Sequence, residues 1–510
     1  MCSLSVLLNS CDDFLKEEPL DMKSSDQFWK TKADAESGVN ALYFGGVPYL
    51  HNTDVGGGWT PKATMWGGIV SGLYVDKRKD RTFTTASEGC NFNIESFDDI
   101  AMKYWHEFYK GISRANFVIA NIPTMTGVLD EATINNYVAQ GKFFRAYGYF
   151  WLVKEFGGVP YISEPYTSTE GMYKERLSAE EVYKKIEADL LDIVNGDALP
   201  NKTFYENGCY VTRAMAQTLL AQVYLQWAGA PLNGGADYYG KAAQMALNVI
   251  NDSPHGLIHP NGTTDDLNSA YNVIKTTKES AEIIYAKEYN YSDYSVGNSY
   301  ACRSIGTDAF QWGVFHPGGD VLYNAYLPCD MLLNSYASND IRGHEKQFFF
   351  KQYTDAEGNT HTLNNAGNWA WFDENALISG HDGDYNMPVF RFAEVLLIAA
   401  EGLARTNHED NAVGGAKYYL NQVRKRAGLA DETATGNDLI QSILTERLHE
   451  LPLEFKIWDD IRRTRLYPEA STESGKLKWT ALARLKSKTS PMEAQEPAPF
   501  LNMLCYGLSR

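Results

Sequence analysis

The side chains with chemical potential fall into three sets: acids and arginines late in the chain, aromatic rings in glycine- and asparagine-rich stretches, and one cysteine within LLNSCDDFLKEEP at residues 7–19. The first set comprises Glu394, Glu401, Arg424, Arg426, Glu446, Arg447, Glu450 and Glu454. A glycosidase needs two facing carboxylates either ~5 Å or ~6.5–9.5 Å apart. Glu394 and Glu401 share a helix face, but seven residues at ~1.5 Å rise set their backbones ~10.5 Å apart. The interspersed arginines suit ion pairs between packed helices instead. No GxSxG, GxxxxGK[ST] or HExxH pattern occurs, because His106-Glu107 is followed by Lys110 where a second histidine would stand.

The rings are Trp59, Trp66 and Tyr74 in VGGGWTPKATMWGGIVSGLYVD, Tyr294, Tyr300, Trp312, Phe315 and Tyr323 between residues 290 and 326, and Trp369 and Trp371 in GNWAWF. Sugar faces are apolar with a polar edge, so a site for them pairs stacked rings with amide, acid or guanidinium groups. Asn298, Arg303 and Asp308 could supply that edge. Each ring has an equally ready alternative as an anchor that pins a long loop to the core. DGDYN places Asp382, Asp384 and Asn386 at alternate positions, like the start of a calcium loop. It lacks the sixth-position glycine and has Ala393 where the bidentate glutamate belongs, so a capped turn ahead of the next helix competes with it. Seven scattered cysteines without a CxxC pair give neither a zinc site nor a disulfide framework, and nothing calls for a cofactor.

At 510 residues and 44% apolar content the chain can bury a large core, whereas a net charge of −18 argues against a nucleic-acid partner. Beyond residue 8 no apolar run approaches the ~20 residues of a spanning helix. Helices are expected to position the chemistry. TKADAESGVNALYFGG starts a helix at Thr31 with Thr31 and Asp34 as a capping box, and Val55 to Asp76 is too glycine-rich for a regular element. Helical periods then run over 98–122, 132–156, 178–194, 211–228 and 237–251. The second of these is aromatic on nearly all sides, which suits a helix buried between neighbours.

Residues 256–388 change to Asn, Gly, Asp, Ser and Tyr, the composition of long loops with short elements. Helices resume with a stripe of Phe392, Val395, Leu396, Ala399 and Leu403, then another of Val413, Ala416, Leu420, Val423 and Ala427, joined so briefly that the two must pack antiparallel. DLIQSILTERLHEL and LEFKIWDDIRRTR follow, parted at Pro452. Degenerate hairpins of about 34 residues have the form of tetratricopeptide-like repeats, with the irregular region between the earlier and later ones.

Taken together, CDDFL (11–15), DQFWKTKADAESGVNALY (26–43), FFRAYGYFWLVKEFGGVPYI (143–162), RAMAQTLLAQVYLQWAG (213–229), RFAEVLLIAAEGLAR (391–405), YLNQVRKRAGL (419–429) and ERLHELPLEFKIWDDIRR (446–463) resemble the SusD/RagB family of outer-membrane nutrient-binding lipoproteins. That resemblance implies a mainly all-α, tetratricopeptide-like helix-hairpin scaffold of four hairpins with an irregular, loop-rich ligand-binding subdomain. It also implies a non-enzymatic, surface-exposed protein that captures an oligosaccharide and passes it to a TonB-dependent (SusC-like) transporter in the outer membrane. Peptide binding is the alternative within the family; a helical glycosidase and a groove-forming repeat scaffold for another protein are the alternatives outside it. Where the family commonly shows Glu-Gly-His-Arg-Trp-Phe-Asp-Leu, this chain has Glu454, Phe455, Lys456, Ile457, Trp458, Asp459, Asp460 and Ile461, a change that bears on local packing.

LLNSC resembles a lipobox, in which Cys11 would receive the lipid, and its acidic flank resembles the surface-export signal of such lipoproteins. The resulting division is a signal-peptide remnant at 1–10, lacking a basic start, and a lipid-anchored linker at 11–30. An N-terminal helical part at 31–255 carries a binding loop near 50–95. An irregular ligand-binding part at 256–388, a C-terminal helical part at 389–465 and an irregular tail at 466–510 complete the chain.

Overall fold

The computed structural model describes residues 28–44, 46–48, 67–75, 99–166, 173–259, 264–294, 296–315, 326–473 and 475–482. Helix α1 (Lys32–Asn40) begins as its sequence predicts: Thr31 Oγ1 accepts from the Asp34 amide, and Asp34 Oδ2 accepts from the Thr31 amide at 2.8 Å. Next come α2 (Asp99–Asn121) and α3 (Glu131–Phe156), the latter capped by Asp130 and ended by Gly157 at φ 68°. From Ala139 to Val153 almost every α3 side chain is buried, as its all-round aromatic sequence predicts. Gly141 and Gly148 let α2 approach, because a Cβ there would lie 2.9 Å from Ile119 and from Ile112. A second capping box, Ser178 with Glu181, opens α4 (Ala179–Val194), and Thr212 caps α5 (Arg213–Ala228).

Helix α6 (Gly235–Asp252) packs on α5 and, across the whole irregular region, on α8 (Phe392–Ala404). The irregular part thus lies inside a helical hairpin rather than between hairpins, and Gly402 admits the Tyr239 carbonyl that closes the two helices together. Helix α7 (Ala270–Thr276) and strand β2 (Ile283–Lys287) sit near the start of this insert; β6 (Met387–Arg391) ends it and pairs antiparallel with β2. Both ends of the insert are therefore clamped side by side. Inside it, β4 (Phe349–Thr354) and β5 (Thr360–Asn368) form a hairpin. A short β1 (Tyr74–Val75) pairs with β3 (Leu327–Pro328), so the stretch expected to hold no regular element ends in a strand.

After α8 come α9 (Ala416–Arg426), α10 (Gly436–Glu450) and α11 (Ile457–Thr464), with α9 and α10 both packed on α8. Two expectations are corrected in this part. All thirteen residues of α8 are buried, not one stripe, because neighbours enclose it on every side; Val413 lies before α9 and is exposed. The tail is not irregular throughout: β7 (Leu466–Ala470) and β8 (Leu477–Ala481) make a five-pair antiparallel hairpin whose Trp479 indole donates to Thr445 on α10.

The late acids and arginines are ion pairs, as their mixture predicts. Glu282 accepts from Arg391 at 2.8 Å and from Arg426; Glu450 accepts from Arg426 at 2.6 Å, Arg391 at 3.0 Å and Arg342 at 3.2 Å. Arg342 also reaches Asp340 and Glu446, Arg424 reaches Glu446, and Arg391 reaches Glu454. Arg463 forks onto Glu401 at 2.7 and 2.6 Å and contacts Asp460, which also accepts from Arg447, while Glu394 pairs with Lys456. Burial pushes the Glu450 carboxyl up, but the three guanidiniums outweigh it and hold it below the usual range.

Removing one member strands the others as uncompensated buried charge, so Arg426→Met should cost about 3–5 kcal/mol in equilibrium denaturation. His449, stacked on Tyr336 and bonded to Ser335 Oγ, is pushed down to about 3 by burial and by Arg342. An unfolded imidazole binds a proton near pH 6.5 that the folded one refuses. Stability should therefore fall as pH drops from about 6.5 toward 3, by up to about 1.4 kcal/mol per pH unit from this group. Denaturation midpoints for His449→Gln at pH 7, 5.5 and 4 should show the shallower decline.

Candidate functional site

Strand β1 brings the two ring-bearing regions to one root. Val75 pairs with Leu327, and the Tyr74 ring stacks on Tyr326 at 4.1 Å and 11°. Tyr326 then stacks on Trp371, which also meets Tyr300 at 4.9 Å. Gly68 makes room for the Tyr326 hydroxyl, which a Cβ there would overlap. Tyr74 and Tyr300 are 1% and 0% exposed, so both are core residues in this structure, and their assignment as ligand platforms is corrected. Their burial follows from partners hundreds of residues away, such as the Pro452 carbonyl to which the Tyr74 hydroxyl donates.

Phe455 closes the same cluster at φ 60°, a left-handed backbone that favours glycine, which is what the resembled motif carries there. Its ring against Trp371, Tyr300 and Tyr326 offsets that strain. Arg303 is buried too, donating to the Ser299 carbonyl, and Asn298 spends its amide on Tyr385 and Tyr300 backbone groups. Neither forms an exposed polar edge.

A second apolar cluster carries the rings that remain at the surface. Ile305, Phe315, Phe350, Leu363 and Phe372 form it, and Trp312 and Trp369 pack against its edge. The turn before Trp312 is pinned to the hairpin by Asp308, whose carboxylate accepts from the Asn364 amide at 2.8 Å, and Gly313 at φ 72° turns the chain away. The half-buried Trp312 indole stacks on His361 at 4.8 Å and runs within 4° of parallel to Tyr353 at 5.9 Å. His361 is itself bonded to Asp355 at 2.8 Å, and that bond is the main reason the Asp355 carboxyl falls to about 2. Trp312 is thus a ring fixed in orientation by a rigid hairpin.

Trp369, also half-buried, donates to Asn272 at 2.7 Å and stacks on Phe372. Tyr294 lies on another arm of the insert and is 75% exposed. Asp384 holds that arm, accepting from Tyr291 and Ser292, while Asn386 accepts from the Tyr289 amide. The DGDYN oxygens of Asp384 and Asn386 are therefore tied into a loop clamp, not a capped turn before a helix. No group of three or more His, Cys, Asp or Glu able to hold a metal occurs among the described residues.

Cys11, Trp59, Trp66 and Tyr323 lie outside the described residues. Sequence reasoning missed Tyr353, His361 and Lys275, whose importance arises from pairing across the β4–β5 hairpin and from α7 packing onto Trp369. The hairpin had a signal: FFFKQYT and THTLNN flank an Asp-Ala-Glu-Gly-Asn turn.

This architecture defines a class: a mainly helical protein of tetratricopeptide-like hairpins, one of them opened to hold a ring-bearing insert. Residues 343–495 match the SusD family, and residues 69–225 match the family described as starch-binding associating with outer membrane. The chain is 27% identical to SusD-like protein P2 of Formosa agariphila over 494 residues, covering 92% of this chain and 91% of that one. Its fold resembles a SusD superfamily protein from Parabacteroides distasonis, with TM-score 0.76, 24% identity and coverage of 88% and 91%. It also resembles surface glycan-binding protein A from Bacteroides thetaiotaomicron in complex with laminarihexaose, with TM-score 0.64, 22% identity and coverage of 85% and 90%. The chain belongs to the SusD/RagB family. No helix among the described residues is long and apolar enough to cross a membrane.

The two kinds of ring predict opposite phenotypes. Tyr74→Ala should lower unfolding free energy by about 3–5 kcal/mol, the cost of emptying a core aromatic site. Trp312→Ala, at an edge, should cost about 1 kcal/mol or less. Urea titrations of the two variants check this.

Proposed function

We propose that this protein captures an oligosaccharide by ring stacking, without breaking bonds, and hands it to a TonB-dependent, SusC-like transporter while Cys11 holds it to the outer membrane through lipid. Trp312 carries the reading: a partly exposed indole, fixed by His361 and Tyr353, is pre-organised for the apolar face of a sugar ring. Exposed Tyr294 offers a second contact, and the insert does the recognition while the helical hairpins serve as scaffold. The relatives support it, since one of similar fold is described in complex with laminarihexaose. Against a glycosidase stands the engagement of the late carboxylates with arginine and lysine; Glu394 and Glu401 are both buried and paired.

Calorimetric titration against a glycan panel that includes laminarihexaose should find a ligand whose affinity falls about three- to tenfold in Trp312→Ala. Unchanged affinity would overturn the assignment of Trp312, and new reducing ends after incubation would overturn the non-enzymatic reading. Cys11→Ala should move the full-length protein from the membrane fraction to the soluble one and abolish surface labelling.

A further inference from the structure

Two lysines converge on Trp369. The Lys275 ammonium lies 4.1 Å from the indole centroid, 5.0 Å from the Tyr385 ring and 5.8 Å from Phe372, and the Lys346 ammonium lies 5.5 Å from the same indole. Among the described residues neither ammonium has a carboxylate within ion-pair distance, in a chain whose net charge is −18. The acids that reach Lys275 electrostatically are already engaged. Asp373 accepts from the Ala376 and Asp384 amides at 3.2 and 3.0 Å, and Glu374 accepts from the Tyr353 hydroxyl. Lys275 also lines a cavity of about 50 Å³ together with Tyr271, Phe348, Trp371 and the paired Arg391 and Glu454. A half-buried indole beside two ammonium groups that no carboxylate contacts presents an apolar ring and positive charge together.

We propose that Trp369, Lys275 and Lys346 form a subsite for a sugar bearing an anionic substituent, a uronate carboxylate or a sulfate ester. This rests on the glycan-binding reading and narrows it to acidic glycans. The ring would meet the sugar face while the ammonium groups take its charge in charge-assisted hydrogen bonds. Burial pushes the Lys275 ammonium down to about 7, with Asp373 and Glu374 acting against it; Tyr385, also facing it, is held neutral. The preference for acidic sugars should therefore weaken as pH rises from 6 to 8, as Lys275 loses its proton.

The test is calorimetry on the full-length protein with an oligogalacturonide, a sulfated galacto-oligosaccharide and the matched neutral galacto-oligosaccharide. Either acidic ligand should bind at least about tenfold tighter than the neutral one, and which of them does so tells carboxylate from sulfate. Lys275→Met with Lys346→Met should erase that preference, and Lys275→Arg with Lys346→Arg should restore it at pH 8. Equal affinity for all three ligands, or a preference that survives the double methionine variant, overturns the subsite and leaves glycan binding standing. Failure of every glycan, these and the wider panel, to bind overturns both.

Discussion

The Glu282–Arg391–Arg426–Glu450 cluster is the constraint on which the rest of the structure depends. Its four members come from the approach to β2, the end of β6, the last turn of α9 and the last turn of α10. All four are 0–2% exposed, so none can fall back on water if a partner moves away. A buried ion pair adds little net stability compared with a well-packed apolar substitute, but it penalises misplacement of either partner severely. Here that penalty fixes one thing above all, the seating of the insert's two strand ends on the C-terminal helices.

With that seating fixed, the remaining geometry follows in steps. Arg342 extends the cluster from Glu450 to Asp340 and Glu446 and so brings the middle of the insert down onto α10. The tyrosine and tryptophan layer of Tyr74, Tyr326, Trp371 and Tyr300 then fills the space above it. Only beyond this layer does the β4–β5 hairpin raise Trp312 to the surface. Recognition groups thus stand on successive tiers, ions first, then packed rings, then edge rings.

Much of the scaffold was legible because its signals are local. The capping box at Thr31, glycine stops after Phe156 and an apolar period of 3.6 each depend on residues within a few positions. The pairing of late acids with arginines was legible from composition alone. What stayed hidden depends on distant partners. Nothing near Tyr74 or Tyr300 announces Tyr326 or Trp371, and nothing near residue 283 announces its pairing with residue 391. The terminal hairpin escaped because Pro468 interrupts LYPEA, although proline is tolerated where a strand has an open edge. Lysines are usually solvated, so Lys275 and Lys346 carried no sequence signal until α7 and the turn before β4 met at one indole.

The β2–β6 pairing has a consequence for how such a protein can change. Paired strands lie ~4.8 Å apart, so the segment between them leaves and re-enters the helical body at almost one point. Lengthening a loop whose ends are already held together adds only about 0.6 kcal/mol of closure entropy per doubling. Loops between these strands can be enlarged, shortened or exchanged with slight effect on the repeat scaffold, provided Glu282 and Arg391 remain at the two borders and Asp340 and Arg342 remain seated on Glu446 and Glu450. The insert is in that sense a cassette, and new ligand preferences can be acquired by replacing its contents while the helices beneath it stay the same.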